Sequence, residues 1–504
     1  MSFWRRASFA FLVWAAAMIA CRTLPAAEPS HHLLIVVDGL RPDDVSAAVM
    51  PNLTALGKRG VVFDRHHSVY PTVTRVNASS ISTGAYPETH GLLGNSVFFP
   101  RVSPARFLDT ADRENLLAIT NAEGRLLTAP TLGETLQSLG RRMLVVSSGS
   151  SGSAFLNNHT VSGGAILHLD YVLPPELADR MKVLGQRPGA DAPAGSLDDY
   201  AVRAFLEVGL PAVDPSVTVM WLSDLDSTAH DKGIGAPETI AVIRAVDRQI
   251  GRIEAGLRAA GLFDRYDIWV TSDHGFSTYT GAPDLRPILE PFSTPMNDGT
   301  PRVVAAGGAI YVRDDNPSTI SAIVSRLQRT PGVGAVFTKA GTPGSRSGVV
   351  PGTLSFDAIH WTHARSAQIL YSPDWTDSAN TYGARGTSAS SGTAGHGSSS
   401  PWEIHNTLIA AGPDLKQGQT IASPSANVDF APTFLTLLGA AIPASMQGRP
   451  LSEAFRDTTA ATPSSRVDET TVAAEGYTLT GTFSTVTSGS TTYRYFDKTT
   501  VTRR

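Results

Sequence analysis

The sequence predicts an α/β protein: a doubly wound, mostly parallel sheet carrying a smaller inserted α+β unit. Three observations support this. Five short runs are nearly continuous in apolar residues, as strands buried on both faces of a parallel sheet require. They are HLLIVVDG (32–39), RMLVVSSG (142–149), VTVMWLSDLD (217–226), YDIWVTSDHG (266–275) and NTLIAAGP (406–413). Between them lie stretches of helical periodicity, TLGETLQSLG (131–140) and ETIAVIRAVDRQIGRIEAGLRAAG (238–261), the second closed by a glycine; strands alternating with helices read as crossover units. The texture then changes between about 277 and 390, where GAIYVRDD, GVGAVFTKAG and QILYSPD read as a separate small unit.

In chain order, residues 1–27 read as an export signal. Arg5 and Arg6 precede the apolar run ASFAFLVWAAAMIA, which is short for a bilayer span and is followed by small residues and proline. This predicts a periplasmic or secreted protein with no stable membrane span. Cys21, the single cysteine, ends the run. A lipoprotein would carry its lipidated cysteine there, but Met18 and Ile19 are a poor version of that signal, so the favoured reading is an ordinary signal residue. Either way the mature chain has no thiol for catalysis, metal binding or disulfides. Residues 28–276 are then expected to form the first part of the core, 277–390 the inserted cap, and 391–504 the second part. GARGTSASSGTAGHGSSS (383–400) reads as a linker leading back to the core, and the β-branched and aromatic alternation beyond 465 reads as terminal strands.

Composition narrows the function classes. In 504 residues, 42% apolar and 17% charged side chains describe a globular chain with ample core, which excludes disorder. A net charge of −4 gives no basic face for duplex nucleic acid. The expected partner is a small-molecule substrate, and the sequence carries no signal for an oligomeric state.

The chemistry lies at the carboxyl ends of the predicted strands, where open α/β sheets place their sites. Asp38 ends the first. Asp226 ends another and stands four residues before His230 in DSTAH; Asp273 and His274 end a third in SDHG; His396 follows the Gly/Ser/Thr-rich segment in AGHG. Each alone has an ordinary reading, a helix cap for an aspartate and a solvated ring for a histidine. Together, three carboxylates and three imidazoles make a donor set suited to a borderline dication such as zinc. Two such ions about 4 Å apart serve in-line displacement at phosphorus or sulfur.

At this point the motifs carry a resemblance. LLIVVDGLRPD, MPNLTALGKRGVVF, PTVTRVNASSISTGAYPETHG, DLDSTAHDKG, TSDHGF, GHGSSSPWEIHNTLIAAGP and DFAPTFLTLLGAAIPASMQGRPL look like the successive motifs of the alkaline phosphatase superfamily, nearest its nucleotide pyrophosphatase/phosphodiesterase branch. The resemblance runs from about 32 to 453 and covers the inserted unit and the tail only loosely. It implies an exported two-zinc phosphoesterase acting on phosphodiester or nucleotide pyrophosphate bonds. Asp226, His230 and His396 would hold one zinc, and Asp38, Asp273 and His274 the other. Thr74 would be the metal-bound nucleophile, forming a phosphothreonine, and Asn95 would hydrogen-bond a non-bridging phosphate oxygen. Thr72 is the nearest competitor, and an N-cap is the ordinary role for Thr74.

Two departures qualify the resemblance. The residue after the nucleophile, commonly aromatic in this branch, is Arg75, which either meets an extra anion on the substrate or turns to solvent. Ala229 replaces the glycine of the DxxGH form. The portion around STG and HGLLGNSVF also resembles phosphonoacetate hydrolase, so C–P bond hydrolysis is the alternative activity. A non-catalytic exported metal-binding protein of the same fold is the alternative from another class. Among other residues, His31 and His32 are expected to be solvated ahead of the first strand. His66, His67, His90 and His405 are expected near the site or at the surface rather than as ligands. Asp224 competes with Asp226, and Trp361 or Trp375 is a candidate to reach the substrate.

Overall fold

A computed structural model describes residues 31–189, 191–459 and 461–504. The export segment and Cys21 therefore lie outside the described residues. The central sheet has ten strands: β1 (His31–Val37), β2 (Val61–His67), β3 (Met143–Ser147), β4 (Ala165–His168), β5 (Val172–Leu173), β6 (Val217–Leu222), β7 (Tyr266–Thr271), β8 (His405–Ala411), β9 (Gln419–Ile421) and β10 (Ser425–Ala426). The order is β9-β2-β8-β7-β1-β6-β3-β4-β5, with β10 also on β2. β1 lies at the middle, parallel to both β6 and β7.

The apolar runs form strands because helices cover both faces of the sheet. Leu34 and Val36 of β1 pack on one side with Ala78, Ile81, Phe430 and Phe434. Leu33, Ile35 and Val37 pack on the other with Val242, Val246 and Ile250. Those last three belong to the helix Pro237–Ala259, which starts on a proline with Glu238 in its first turn, favourable at a helix N-terminus. Its buried Asp247 accepts the Leu53 N–H (2.9 Å), tying it to the helix Pro51–Arg59.

Four sequence expectations change. β8 runs antiparallel to both neighbours, because His396 lies at the carboxyl edge of the parallel strands and the chain enters the sheet from that edge. His32 is fully buried within β1, its Nδ1 3.1 Å from Asp267 and its ring stacked on Phe434; the strand begins at His31, one residue before the run 32–39. Residues 383–400 are not a linker. They supply the strands Arg385–Ser388 and Ala394–Gly395 of a four-stranded sheet with Ser277–Tyr279 and Trp375–Ala379. Finally, Asp226 lies not at a strand end but in the first turn of the helix Asp224–Lys232, after β6 stops at Leu222.

Residues 303–373 build a five-stranded sheet in which Val333–Thr338 and Ile369–Pro373 pair antiparallel, with the helix Pro317–Arg329 packed through Ile323, Val324 and Leu327. The tail forms three long antiparallel strands, Ser464–Ala474, Tyr477–Ser488 and Thr491–Arg503. One part of this sheet packs on Phe337 and Phe356 through Phe483 and Phe496; another packs on Val76 and Tyr86 through Val486 and Tyr495. No helix among the described residues is long and apolar enough to cross a membrane.

Candidate active site

The carboxyl edge of the central strands gathers all six predicted ligands into two adjoining sets. Asp38 follows β1 directly, and Asp273 and His274 follow β7. Because β1 and β7 are parallel neighbours in register, their ends bring these three residues together. His274 Nε2 lies 3.1 Å from Asp273 Oδ2 and 3.4 Å from Asp38 Oδ1. In the second set, Asp226 and His230 are one turn apart on one helix face, with His230 Nε2 3.4 Å from Asp226 Oδ1 and His396 Nε2 3.5 Å from the same oxygen. The rings of His274 and His396 stack, centroids 3.4 Å apart, and join the two sets.

Each imidazole is oriented from behind. Nδ1 of His230 donates to Ala394 O (2.8 Å), that of His274 to Gly275 O (3.0 Å) and that of His396 to Thr72 O (2.8 Å). A carbonyl only accepts, so Nδ1 carries the proton and Nε2 presents its lone pair to the carboxylates. Acceptors thus face acceptors. Asp38 Oδ1, Asp226 Oδ1 and Asp273 Oδ2 are accordingly buried without a hydrogen-bond partner. Buried carboxylate oxygens left bare cost several kcal/mol unless a cation meets them, and the donor chemistry fits a divalent ion at each set. The electrostatics agree at Asp38, Asp273, His274 and His396. Burial, and then repulsion from Asp273, push the Asp38 carboxyl well above its usual range; burial raises Asp273 to about 6. Burial also lowers His274 and His396, keeping both rings neutral.

Thr74 is the first residue of the helix Thr74–Thr83 rather than its cap, a place held by Val73. Its hydroxyl lies 3.3 Å from His274 Nε2, and the residue is 5% exposed. Thr72, the competitor, is fully buried with its hydroxyl donated to Ser398 O (2.9 Å) and accepting the Gly397 N–H (3.0 Å). Asn95 sits in the loop before the strand Ser96–Val97, and its Oδ1 accepts the Arg75 N–H (3.1 Å). That bond commits the oxygen and leaves the amide NH2 as the free end. Arg75 does not turn to solvent. Its side chain is 16% exposed, Nε is buried without a partner, and the nearest carboxylate, Asp109, is 3.9 Å away.

Sequence reasoning missed several supports. The Trp221 indole N–H donates to Asp38 Oδ2 (2.8 Å), and the Gly39 N–H donates to Asp273 Oδ1 (3.3 Å). The Asn427 amide donates to Asp273 O (2.9 Å). Tyr279 OH donates to His396 O (3.1 Å). Asp224 turns away from the ligands and accepts the Asp198 N–H (2.9 Å). Trp361 is buried with its N–H donated to Leu93 O (3.0 Å), so it belongs to the packing under the inserted unit. His66, His67 and His90 are fully or almost fully buried, none with a place in either ligand set, and His405 stands beside His67, rings 4.7 Å apart.

The sequence profile of the type I phosphodiesterase / nucleotide pyrophosphatase family matches residues 32–393. The chain belongs to this family. Family members among curated proteins include ectonucleotide pyrophosphatase/phosphodiesterase family member 1 of Rattus norvegicus, 27% identical over 267 residues, which are 51% of this chain and 26% of that protein. Bis(5'-adenosyl)-triphosphatase ENPP4 of Bos taurus is 25% identical over 268 residues, 53% of this chain and 52% of that protein. The chain thus spans only about a quarter to a half of the length of these relatives. Among solved structures, murine ectonucleotide pyrophosphatase / phosphodiesterase 5 aligns with a TM-score of 0.58 at 19% identity, over 82% of this chain and 96% of that one. A mutant of alkaline phosphatase PafA aligns with a TM-score of 0.66 at 15% identity, over 85% and 99%. These likenesses establish an alkaline-phosphatase-like fold for the family member described here.

Proposed function

We propose that the chain is an exported phosphoesterase that hydrolyses phosphodiester or nucleotide pyrophosphate bonds with two zinc ions and Thr74 as nucleophile. The observation that carries this reading is the pair of acidic and imidazole sets, each with a bare buried carboxylate oxygen, beside a threonine hydroxyl at a helix N-terminus. Asp226, His230 and His396 would hold one ion, and Asp38, Asp273 and His274 the other. Bound there, the ions would supply Lewis acidity that lowers the barrier to forming an alkoxide and to releasing the leaving oxygen.

The protein's own groups do the rest. Thr74 Oγ1 gives up its proton to solvent and attacks phosphorus in line; a new P–O bond forms as the bond to the leaving alcohol or phosphate oxygen breaks, and the leaving oxygen takes a proton from water. The first-turn N–H groups of the helix favour negative charge at its N-terminus. The Asn95 amide, its oxygen held by Arg75 N–H, donates to a non-bridging oxygen as charge builds there. Water then attacks the phosphothreonine from the opposite face and frees Thr74, and two inversions give retention. Export is supported by Arg5, Arg6 and the apolar run behind them.

Arg75 favours one second reading. A largely buried guanidinium beside the nucleophile suits a substrate with an extra anion, as in phosphonoacetate hydrolysis. One experiment separates the readings: kcat/KM for a monoester, a diester, a dinucleotide and phosphonoacetate, with and without chelator. Chelator-sensitive turnover led by the diester or dinucleotide, lost in Thr74→Ala, is expected. A monoester preferred by orders of magnitude, or phosphonoacetate preferred, overturns the diesterase reading; turnover indifferent to chelator and to Thr74→Ala overturns the enzyme reading.

A further inference from the structure

A second concentration of charge lies beyond the other end of the nucleophile helix. Thr74 begins that helix and Tyr86 comes just after it; its ten residues span about 15 Å. There the terminal sheet, the inserted unit and the core border an open pocket of about 440 Å³, lined by Arg346, Arg466 and Arg494 together with His360, Tyr86 and Tyr493, and by no acidic residue.

These cations are under-neutralised. Arg466 donates to Asp468 Oδ1 (2.9 Å); Arg346 donates to the Thr470 hydroxyl (3.4 Å) and lies 3.9 Å from the same Asp468 carboxylate. Arg494 makes no ion pair among the described residues: one guanidinium N–H donates to the Asp357 carbonyl (2.7 Å), and its Nε is buried without a partner. Arg346 and Arg494 both lie against the Phe483 ring, at 4.8 and 5.8 Å from its centroid, so two like charges share one support. Burial, and next the proximity of Arg346, hold the Arg494 pKa below its ordinary value.

His360 completes the wall. Its Nδ1 donates to Glu88 Oε1 (2.8 Å), which also accepts from Gln447 (2.7 Å), so the Glu88 charge is already engaged. Its Nε2 is buried without a partner; with Nδ1 as the donor this nitrogen is an acceptor, so the positive character of the site comes from the three arginines. The ring stacks on Tyr86 at 4.2 Å, and the backbone holds a left-handed φ of 54°, a strained setting for a residue other than glycine.

We infer that this pocket is a binding site for a phosphate-type dianion, separate from the catalytic centre. Guanidinium forks match tetrahedral oxyanions, and the volume suits a small phosphorylated molecule. Three of its walls, Arg466, Thr485 and the Thr491–Arg494 stretch, lie beyond the 32–393 range that matches the family profile, while Tyr86, Arg346 and His360 lie within it, so the tail completes the site.

The test is equilibrium dialysis of the metal-loaded full chain against labelled inorganic phosphate. Wild type is compared with the Arg346→Ala/Arg466→Ala double variant, whose replaced side chains are both partly exposed. The double variant is expected to bind one phosphate fewer per chain, or to bind it at least about tenfold more weakly, with kcat/KM on bis-p-nitrophenyl phosphate unchanged. Because the readout is a difference, it holds whether or not the catalytic centre also retains phosphate. Thr492→Glu, which adds a carboxylate at an exposed position of the rim, gives the same readout if the double variant does not fold. Equal stoichiometry and affinity in wild type and variant overturn the assignment.

Discussion

The two ligand sets share a wall of stacked imidazoles yet differ in exposure and in charge. In the set of Asp38, Asp273 and His274, the side chains are 5%, 0% and 0% exposed, and two carboxylates repel each other at close range. In the set of Asp226, His230 and His396 they are 18%, 41% and 6% exposed around one carboxylate. The sealed set therefore has more to gain from a bound dication and a slower route for losing it. The open set gives access at a smaller electrostatic gain. An ion in the first set would be shielded from water, whereas one in the second would face solvent and substrate.

The largest effect that would sharpen this contrast comes from the ligands themselves. Asp38→Ala is expected to lower kcat/KM by at least about a thousandfold and not to recover at high zinc, since it removes a ligand and leaves Asp273 buried. His230→Ala is expected to lose about ten- to a hundredfold and to recover in part as zinc is raised. Zinc titrations of diester hydrolysis check both, and equal losses, equally deaf to zinc, would break the comparison.

A smaller effect concerns pH. Asp273 has an ordinary value of 3.8 when unfolded and about 6 in the fold without metal. Between these values the folded chain holds protons that the unfolded chain has released, so stability falls as pH rises through that window. Thermal melts of chelated protein should thus lose Tm relative to metal-loaded protein as pH rises from about 4 through about 6, and further as the raised Asp38 carboxyl gives up its proton. A gap that narrows as pH rises contradicts the raised carboxyl.

The smallest effect concerns support. Trp221→Phe removes the N–H that holds Asp38 Oδ2 and is expected to weaken zinc retention in the sealed set about tenfold, with the open set unaffected. Metal content after timed dialysis against chelator reads this directly, and loss of both ions at equal rates would count against it.

The strands were legible because burial on both faces forces uninterrupted apolar runs, and the meeting of Asp38 with Asp273 and His274 was legible because β1 and β7 are parallel neighbours that end together. Other parts were hidden for physical reasons. A segment rich in Gly, Ser and Thr has the composition of a linker, yet here glycine permits contact: a Cβ on Gly395 would stand 2.1 Å from the Tyr279 hydroxyl oxygen, and one on Gly386 2.5 Å from the Trp402 ring. Trp221 is 183 residues from Asp38. Only the pairing of β1 with β6, which sets Val36 opposite Trp221, brings them together. His32 was hidden by its neighbour His31, which is partly exposed at the strand's first position. The three-arginine pocket was invisible because its walls come from three separate parts of the chain.

The antiparallel entry of β8 also imposes an order on assembly. The sealed set is complete once residue 274 has emerged, on strands that pair with one another. The open set waits for His396, which is positioned only when the chain that follows it turns back into the sheet between β2 and β7. The two sets therefore differ in what they depend on: a lesion in β8 is expected to displace His396 and open the second set, while the contact of Asp38 with Asp273 and His274 rests on the pairing of β1 with β7.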